Sequence, residues 1–408
     1  MTVKQGYKLT EVGVIPKDWE VYPLDSLLTS TPRYGINAPA TEYLDTLPTY
    51  LRITDITEDG KFNHSKKSSV NHEFSDNYFL NDGDIVLART GASVGKSYAY
   101  KISDGKLVFA GFLIKIAPNQ SKISSIFLSY LFQTKNYWNW VTVNSMRSGQ
   151  AGINGKEYAT FPVTTPTLPE QTAIANALSD ADAYINSLEQ LIAKKQQIKQ
   201  GTMQELLTGK KRLEGFSGEW VKVALYTICN FINGRAYNLS EWESEGVPVI
   251  RLQNLTGRGD NFYYSNLKLP EKQYCLKGDL LFMWSATFGI VVWQGEKAIY
   301  HYHIWKVVPI TWAVEKSFLF YILDELTEKL KKSSSNGGTM LHITKEKMEA
   351  TEVFIPSDIE EQTAIANILT NMDNDIQALQ NKLTKAKHIK QGMMQELLTG
   401  KTRLVQPH

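Results

Sequence analysis

The run best placed to do chemistry is Arg89-Thr90-Gly91-Ala92-Ser93-Val94-Gly95-Lys96-Ser97. A phosphate-cradling P-loop needs a glycine, four residues, then Gly-Lys-Ser/Thr, and it opens into a helix. Here Gly91 and Gly95 enclose only three residues, Thr90 stands where the glycine is needed, and the following SYAYKI reads as a strand. The matching run of the second half, SATFGIV, has no lysine. Nucleotide binding is not expected, whereas the same hydroxyls, amides and basic ends suit contact with nucleic-acid phosphates. His301 and His303 alternate and could share a strand face, but no third ligand stands at metal spacing, so structural histidines are expected. Asp104-Gly105-Lys106 has the tail of a nuclease-like carboxylate–lysine pattern and reads better as a hairpin turn. Nucleophile elbows, zinc-protease helices and dinucleotide fingerprints are absent from the sequence. The expectation is no catalytic residue and no metal site.

Two sets of polar loop residues remain beside aromatics. In the first half they are Arg52, Thr54, Arg89, Ser93, Lys96, Arg147, Ser148 and Gln150. In the second they are Arg251, Gln253, Asn254, Ser285, Thr287, Ser334, Asn336 and Thr339. Arginine suits guanine, and asparagine or glutamine suits adenine, in the major groove. Any one of these residues alone reads as a solvated loop side chain; their recurrence at matching places in both halves makes them candidate DNA-binding residues.

The elements that must position them repeat. EQTAIANALSDADAYINSLEQLIAKKQQIKQGTMQELLTGKKRL (170–213) recurs as EQTAIANILTNMDNDIQALQNKLTKAKHIKQGMMQELLTGKTRL (361–404), at the offset 361 − 170 = 191 and without a gap. Roughly 26 of the 44 positions are identical. Ile174, Leu178, Ala181, Ile185, Leu188 and Ile192 form a heptad seam, as do Ile365, Leu369, Met372, Ile376, Leu379 and Leu383. Capping boxes are expected at Thr167/Glu170 and Ser357/Glu360, and stops at Gly209 and Gly400. About 38 residues at ~1.5 Å each give a helix of roughly 57 Å, and two of them most simply pair antiparallel. Identity on outward positions such as KQG-MQELLTGK exceeds what core packing requires and points to partner binding.

The rest of the chain repeats more loosely. GVIPKDWEV answers GFSGEWVKV, with Trp19 matching Trp220. YLRITDIT answers VIRLQNLT, LNDGDIVLARTGASVGK answers LKGDLLFMWSATFGIVV, and LIKI answers IWKV. These runs are short and β-type, separated by turns. The expected fold class is α+β: two α/β recognition domains joined by two long helices in an antiparallel coiled coil, an internal pseudo-two-fold repeat. The expected domains are 1–166, a central helical region 167–213, 214–356, and a C-terminal helical region 357–408.

Net charge is only +2, so any basic surface must be local. Cys229 and Cys275, far apart, read as free thiols of a reducing compartment. The start MTVKQGYKLTEVG has no apolar h-region, and the most apolar run, near 280–293, is too short and polar to span a membrane. A cytoplasmic protein is expected.

In this order, and twice over, the helix motifs, the openings GVIPKDWEV and GFSGEWVKV, and the SGQAGING loop resemble the specificity (S) subunit of type I restriction-modification systems along essentially the whole chain. The second opening lacks the Ile-Pro step, and SSSNGGTMLHI is only loosely like SMRSGQAGING. The resemblance implies two target recognition domains, each reading half of a split double-stranded DNA target, with helices that set the distance between half-sites. It implies docking of two modification (methyltransferase) subunits and assembly with restriction (motor-nuclease) subunits. S-adenosylmethionine, ATP and magnesium then belong to the partners, and this chain holds no cofactor and no active site. The rival readings are a coiled-coil adaptor that never touches DNA and a self-sufficient enzyme with an unrecognised site.

Overall fold

The computed structural model describes residues 4–146, 150–285, 287–334 and 343–404. They fall into two compact units, Met1–Ser187 with Lys382–His408, and Leu188–Asn381. Two helices of 39 residues, α1 (Leu168–Leu206) and α2 (Ile359–Leu397), carry the repeated sequence, and each unit takes half of each.

The first unit is built on a four-stranded antiparallel sheet in the order Arg33–Tyr34, Leu113–Ile116, Ile85–Ala88, Ser97–Ala99. Beside it Thr49–Leu51 pairs in parallel with Leu107–Phe109. The second unit repeats this plan. Its antiparallel sheet runs Cys229–Asn233, Ile304–Pro309, Leu280–Met283, Gly289–Val292. Its parallel pair is Val247–Ile250 with Ala298–Tyr300. The sequence-expected hairpin at Asp104-Gly105 is not one. Gly105 does turn the chain at φ +82°, but the strands it joins belong to different sheets, so the turn moves the chain between layers.

Matched ion pairs explain two repeated polar signals. Lys115 bonds Asp84 at 2.9 Å, and Lys306 bonds Asp279 at 2.7 Å, all four side chains being shielded. Each aspartate also accepts a turn N–H at 2.9 Å, from Asn81 and Leu276. The Gly-Asp turn and the lysine of LIKI and IWKV are thus one structural device, used twice.

The seam residues Ile174, Leu178, Ile185, Leu188, Ile192, Ile365, Leu369 and Ile376 are buried, while Ala181, Met372, Leu379 and Leu383 are half-buried. The helices run antiparallel within each unit. In the first, Ile174, Ala175 and Leu178 share a core with Leu397 and Leu398, and Lys390 bonds Asp182 at 2.7 Å. In the second, Met203, Leu206 and Leu207 share a core with Ile365, Ala366 and Leu369, and Lys199 bonds Asp373 at 2.6 Å.

The expected capping boxes do not form. Glu170 turns inward instead, 1% exposed, and in the second copy its repeat equivalent is Glu361, 0% exposed, not the expected cap residue Glu360. Glu170 accepts from the Trp19 indole at 3.1 Å and from the Arg403 fork, which also clasps Asp18. Glu361 accepts from Trp220 at 3.3 Å and from Arg212 at 2.7 and 2.8 Å. Asp358, not Ser357, caps the start of α2, accepting from the Glu360 N–H at 2.8 Å. The next residues, Gln171 and Gln362, are also buried and pin the preceding loops. Their carboxamides donate to Pro166 and Pro356 O at 2.9 Å and accept from Ser124 and Glu315 N–H at 2.8 Å.

After the helices, Gly209 (φ +68°) and Gly400 (φ +67°) turn the chain, as the sequence indicates. A side chain at Gly209 would meet the Trp220 ring at 3.1 Å, and one at Gly400 would meet Pro16 at 2.4 Å, so both backbone and space demand glycine. Cys229 and Cys275 are free and buried, and burial pushes each thiol up to about 12, leaving them unreactive. Among the described residues, no helix is long and apolar enough to cross a membrane.

Candidate nucleic-acid interface

The loop at 89–97 is bolted from beneath. The Tyr158 hydroxyl donates to Ala88 O at 2.7 Å and accepts from the Gly95 N–H at 3.1 Å, while the Tyr137 hydroxyl donates to Gly95 O at 2.7 Å. Residues 91–93, including Ser93, form one tight turn, and the chain continues as the strand Ser97–Ala99, the wrong geometry for a P-loop. Lys96 pairs with Glu58. Arg89 lies over the Tyr34 ring at 4.8 Å, with Nη1 3.5 Å from Gly111 O. Gln150 is exposed beside Gly91, in a segment pinned by Gly91 N–H to Ala151 O (3.0 Å) and Ile153 N–H to Arg89 O (2.9 Å). The structure therefore brings Arg89, Ser93 and Gln150 to one rim. Arg147 and Ser148 lie outside the described residues.

Arg52 and Arg251 occupy equivalent places, immediately after the first strand of each parallel pair and at the start of a single helical turn. Their surroundings differ. Arg52 is forked onto Asp55, Nε to Oδ2 at 2.9 Å and Nη2 to Oδ1 at 2.8 Å. Asp55 is 2% exposed and also accepts the Arg52 N–H at 2.9 Å. The adjacent Thr54 hydroxyl is 3.4 Å from Asp55 Oδ1. Arg52 is thus bound into the frame of its own turn. In the second unit Asn254 stands in place of Asp55. It accepts the Arg251 N–H at 2.9 Å, but its amide nitrogen donates to Gly259 O (3.1 Å) and Asn261 O (3.0 Å). Asn254 braces its loop, and Gln253 lies beside Gly259 on the same turn.

Arg251 rests on aromatic rings, 5.0 Å from the Tyr263 centroid and 5.9 Å from Trp242. Trp242 stacks on Tyr237 at 4.7 Å and lies 6.1 Å from His301, which lies 5.3 Å from His303, itself 5.6 Å from Trp284. This ladder connects the Arg251 turn to the loop of Ser285 and Thr287, where Thr287 N–H donates to Ser285 O at 2.6 Å. Burial, then His303 and Arg251, push His301 down to about 4, so it is neutral near pH 7. Among the described residues no cluster of ligand types could hold a metal ion.

The strand Leu280–Met283 corresponds to Ile85–Ala88, so Trp284 takes the place of Arg89, and the two halves present different chemistry at that rim. Ser334 ends the helix Lys316–Ser334, and Asn336 and Thr339 lie outside the described residues. Arg235, Trp242 and Tyr263 were not singled out from the sequence. The available signal was the interleaving of Arg235, Tyr237, Trp242, Arg251 and Tyr263 over fewer than thirty residues.

Comparison with known proteins places this geometry. The family described as the type I restriction modification DNA specificity domain matches residues 16–200 and again 217–388. The type I restriction enzyme MjaVIII specificity subunit of Methanocaldococcus jannaschii is 24% identical over 416 residues, covering 96% of this chain and 94% of that protein. The crystal structure of a type I S subunit from M. genitalium superposes with a TM-score of 0.59 at 14% identity, over 97% of this chain and 98% of that one. A chain from a structural study of type I restriction-modification complex assembly gives 0.57 at 18% identity, over 95% and 99%. Specificity subunits are the non-catalytic members of these systems. With both halves matched in the same order as the repeated sheets and helices, the chain belongs to the type I restriction-modification specificity-subunit family and carries two copies of its recognition domain.

Proposed function

We propose that this chain reads a bipartite DNA target in the cytoplasm, one half-site per recognition unit, and delivers it to methyltransferase and restriction subunits that dock on its helices. The observation that carries the reading is a repeated frame with unlike rims. Strand order, lysine–aspartate pairs and glutamate clamps recur, while the rim presents Arg89 over Tyr34 in one unit and Arg251 on Trp242 and Tyr263 in the other. Shared scaffolds with differing polar rims suit two readers of different short sequences. S-adenosylmethionine, ATP and magnesium would be brought by the partners.

DNA contact is tested by filter binding of the reconstituted complex to its DNA across a salt series. Neutralised phosphates predict a steep linear fall of log K with log salt, with a slope of about −0.9 per phosphate contacted. A flat dependence supports the adaptor reading instead.

Docking is supported by two glycines. Gly201 and Gly392 lie inside α1 and α2 at matched positions, exposed, with nothing within 4 Å of where a side chain would start. A helical glycine costs about 1 kcal/mol relative to alanine, and among the described residues no contact recovers that cost at either site. We propose that a partner backbone approaches there. Gly201→Ala and Gly392→Ala are expected to stabilise the isolated chain by about 1 kcal/mol each in denaturant titrations. Gly201→Trp and Gly392→Trp are expected to weaken pull-down of the modification subunit. Unimpaired capture by both tryptophan variants would place docking elsewhere.

A further inference from the structure

Resting on the reading above, we infer that Arg251 is a base-reading residue of the second unit, specifying a guanine, whereas its sequence counterpart Arg52 is a framework residue that reads nothing. The two arginines hold the same place in the repeat, and one substitution three residues on separates them. Asp55 spends both its oxygens on Arg52, through the backbone N–H and the guanidinium fork. Asn254 retains the first of these bonds and gives up the second, since its remaining group is a donor committed to Gly259 and Asn261. Among the described residues no acceptor bonds the Arg251 guanidinium.

Of the neighbouring arginines, Arg235 is tied to Glu241, and Arg258 is exposed on the loop that follows the Arg251 turn. Among the described residues the Arg251 guanidinium lies against rings only, 5.9 Å from the Trp242 centroid and 5.0 Å from that of Tyr263, the latter 41% exposed. Rings fix the plane of a guanidinium without consuming its N–H donors. A planar fork held in place with its donors unspent matches the paired acceptors of guanine, O6 and N7, in the major groove. Neutral His301 beside the ladder adds no competing positive charge.

The test uses the full chain reconstituted with its modification subunits and a DNA library randomised in both half-sites, with methylated products sequenced. The wild-type complex should return a split motif containing a required guanine in one half. Arg251→Met and Arg251→Lys should both relax that single position by about ten-fold or more and leave the other half-site unchanged; lysine keeps the charge but not the fork. Asn254→Asp restores the carboxylate that holds Arg52 and should capture Arg251, giving the same relaxation with the arginine still present. Arg52→Met should leave every base preference intact. Circular dichroism melts identify any variant that fails to fold, and Arg251→Lys is the mildest of the set. Equal weakening on all sequences by Arg251→Met, with Arg251→Lys behaving as wild type, makes Arg251 a phosphate contact and overturns the assignment, as does an unchanged motif. A wild-type complex that methylates with no split motif overturns the functional reading itself, a separate result from these.

Discussion

Glu361→Ala is expected to cost about 3–5 kcal/mol of folding stability, the range seen when one partner of a buried ion pair is removed. Glu361 is fully buried and, among the described residues, is the sole carboxylate for Arg212, whose other bond goes to Gly218 O at 2.9 Å. It also accepts the Trp220 indole N–H, which would be left buried without an acceptor. Glu170→Ala should fall at the lower end of the range, because Arg403 keeps Asp18 at 2.9 and 2.7 Å. The difference between the two variants comes from Asp18, since the two glutamates occupy identical positions of the repeat and Glu219 stands in place of Asp18 in the second. Urea denaturation of each single variant and of Glu361→Ala with Arg212→Met measures it. The double variant should recover part of the loss by removing the stranded charge. Equal, sub-kilocalorie effects would contradict the clamp. The Arg403 fork also holds the Asp18 carboxyl below its ordinary value of 3.8. That contribution is therefore complete at neutral pH and is lost only as pH falls below about 4, through the lowered pKa.

The second large effect concerns target geometry. Inserting one heptad at the midpoint of α1 and one at the midpoint of α2 keeps the apolar seam in phase and lengthens each helix by about 10 Å, at ~1.5 Å per residue. Against ~3.4 Å per base pair, the undefined gap of the recognised target should grow by about three base pairs, with both half-sites unchanged and methylation of the original target lost. An unchanged gap would mean that the helices do not act as the spacer.

The seam of α1 and α2 was legible in the sequence because local periodicity determines it, and the paired glycine stops were legible because positive φ leaves few other residues. The short β-type runs were recognised, but their assembly was not. Asp104-Gly105 has a hairpin's composition, and only the long-range pairing of Leu107–Phe109 with Thr49–Leu51 makes it a crossing between layers. Glu170 fits the capping-box spacing, yet its partner Arg403 lies 233 residues away, and a tertiary ion pair overrode the local cap. Much of the outward identity between the helix copies proved internal. Asp182 and Asp373 accept Tyr130 and Tyr321 hydroxyls at 2.8 Å, and Lys390 and Lys199 close each set. Gly201 and Gly392 are exposed, with nothing within 4 Å of where a side chain would start. At the rim, residue type nominated Arg52 and Arg251 equally, and only the hydrogen bonds of Asp55 and Asn254 distinguish them.

The central claim is that this chain sets the sequence at which DNA is methylated. Single-molecule methylome sequencing of cells carrying the chain with its modification subunit, against cells lacking only this chain, tests it most directly. A new adenine-methylated motif of two short defined halves around a fixed undefined gap, present only with the chain, is the expected result. Methylation in which the modification subunit is active and the motif is the same with and without the chain would contradict it.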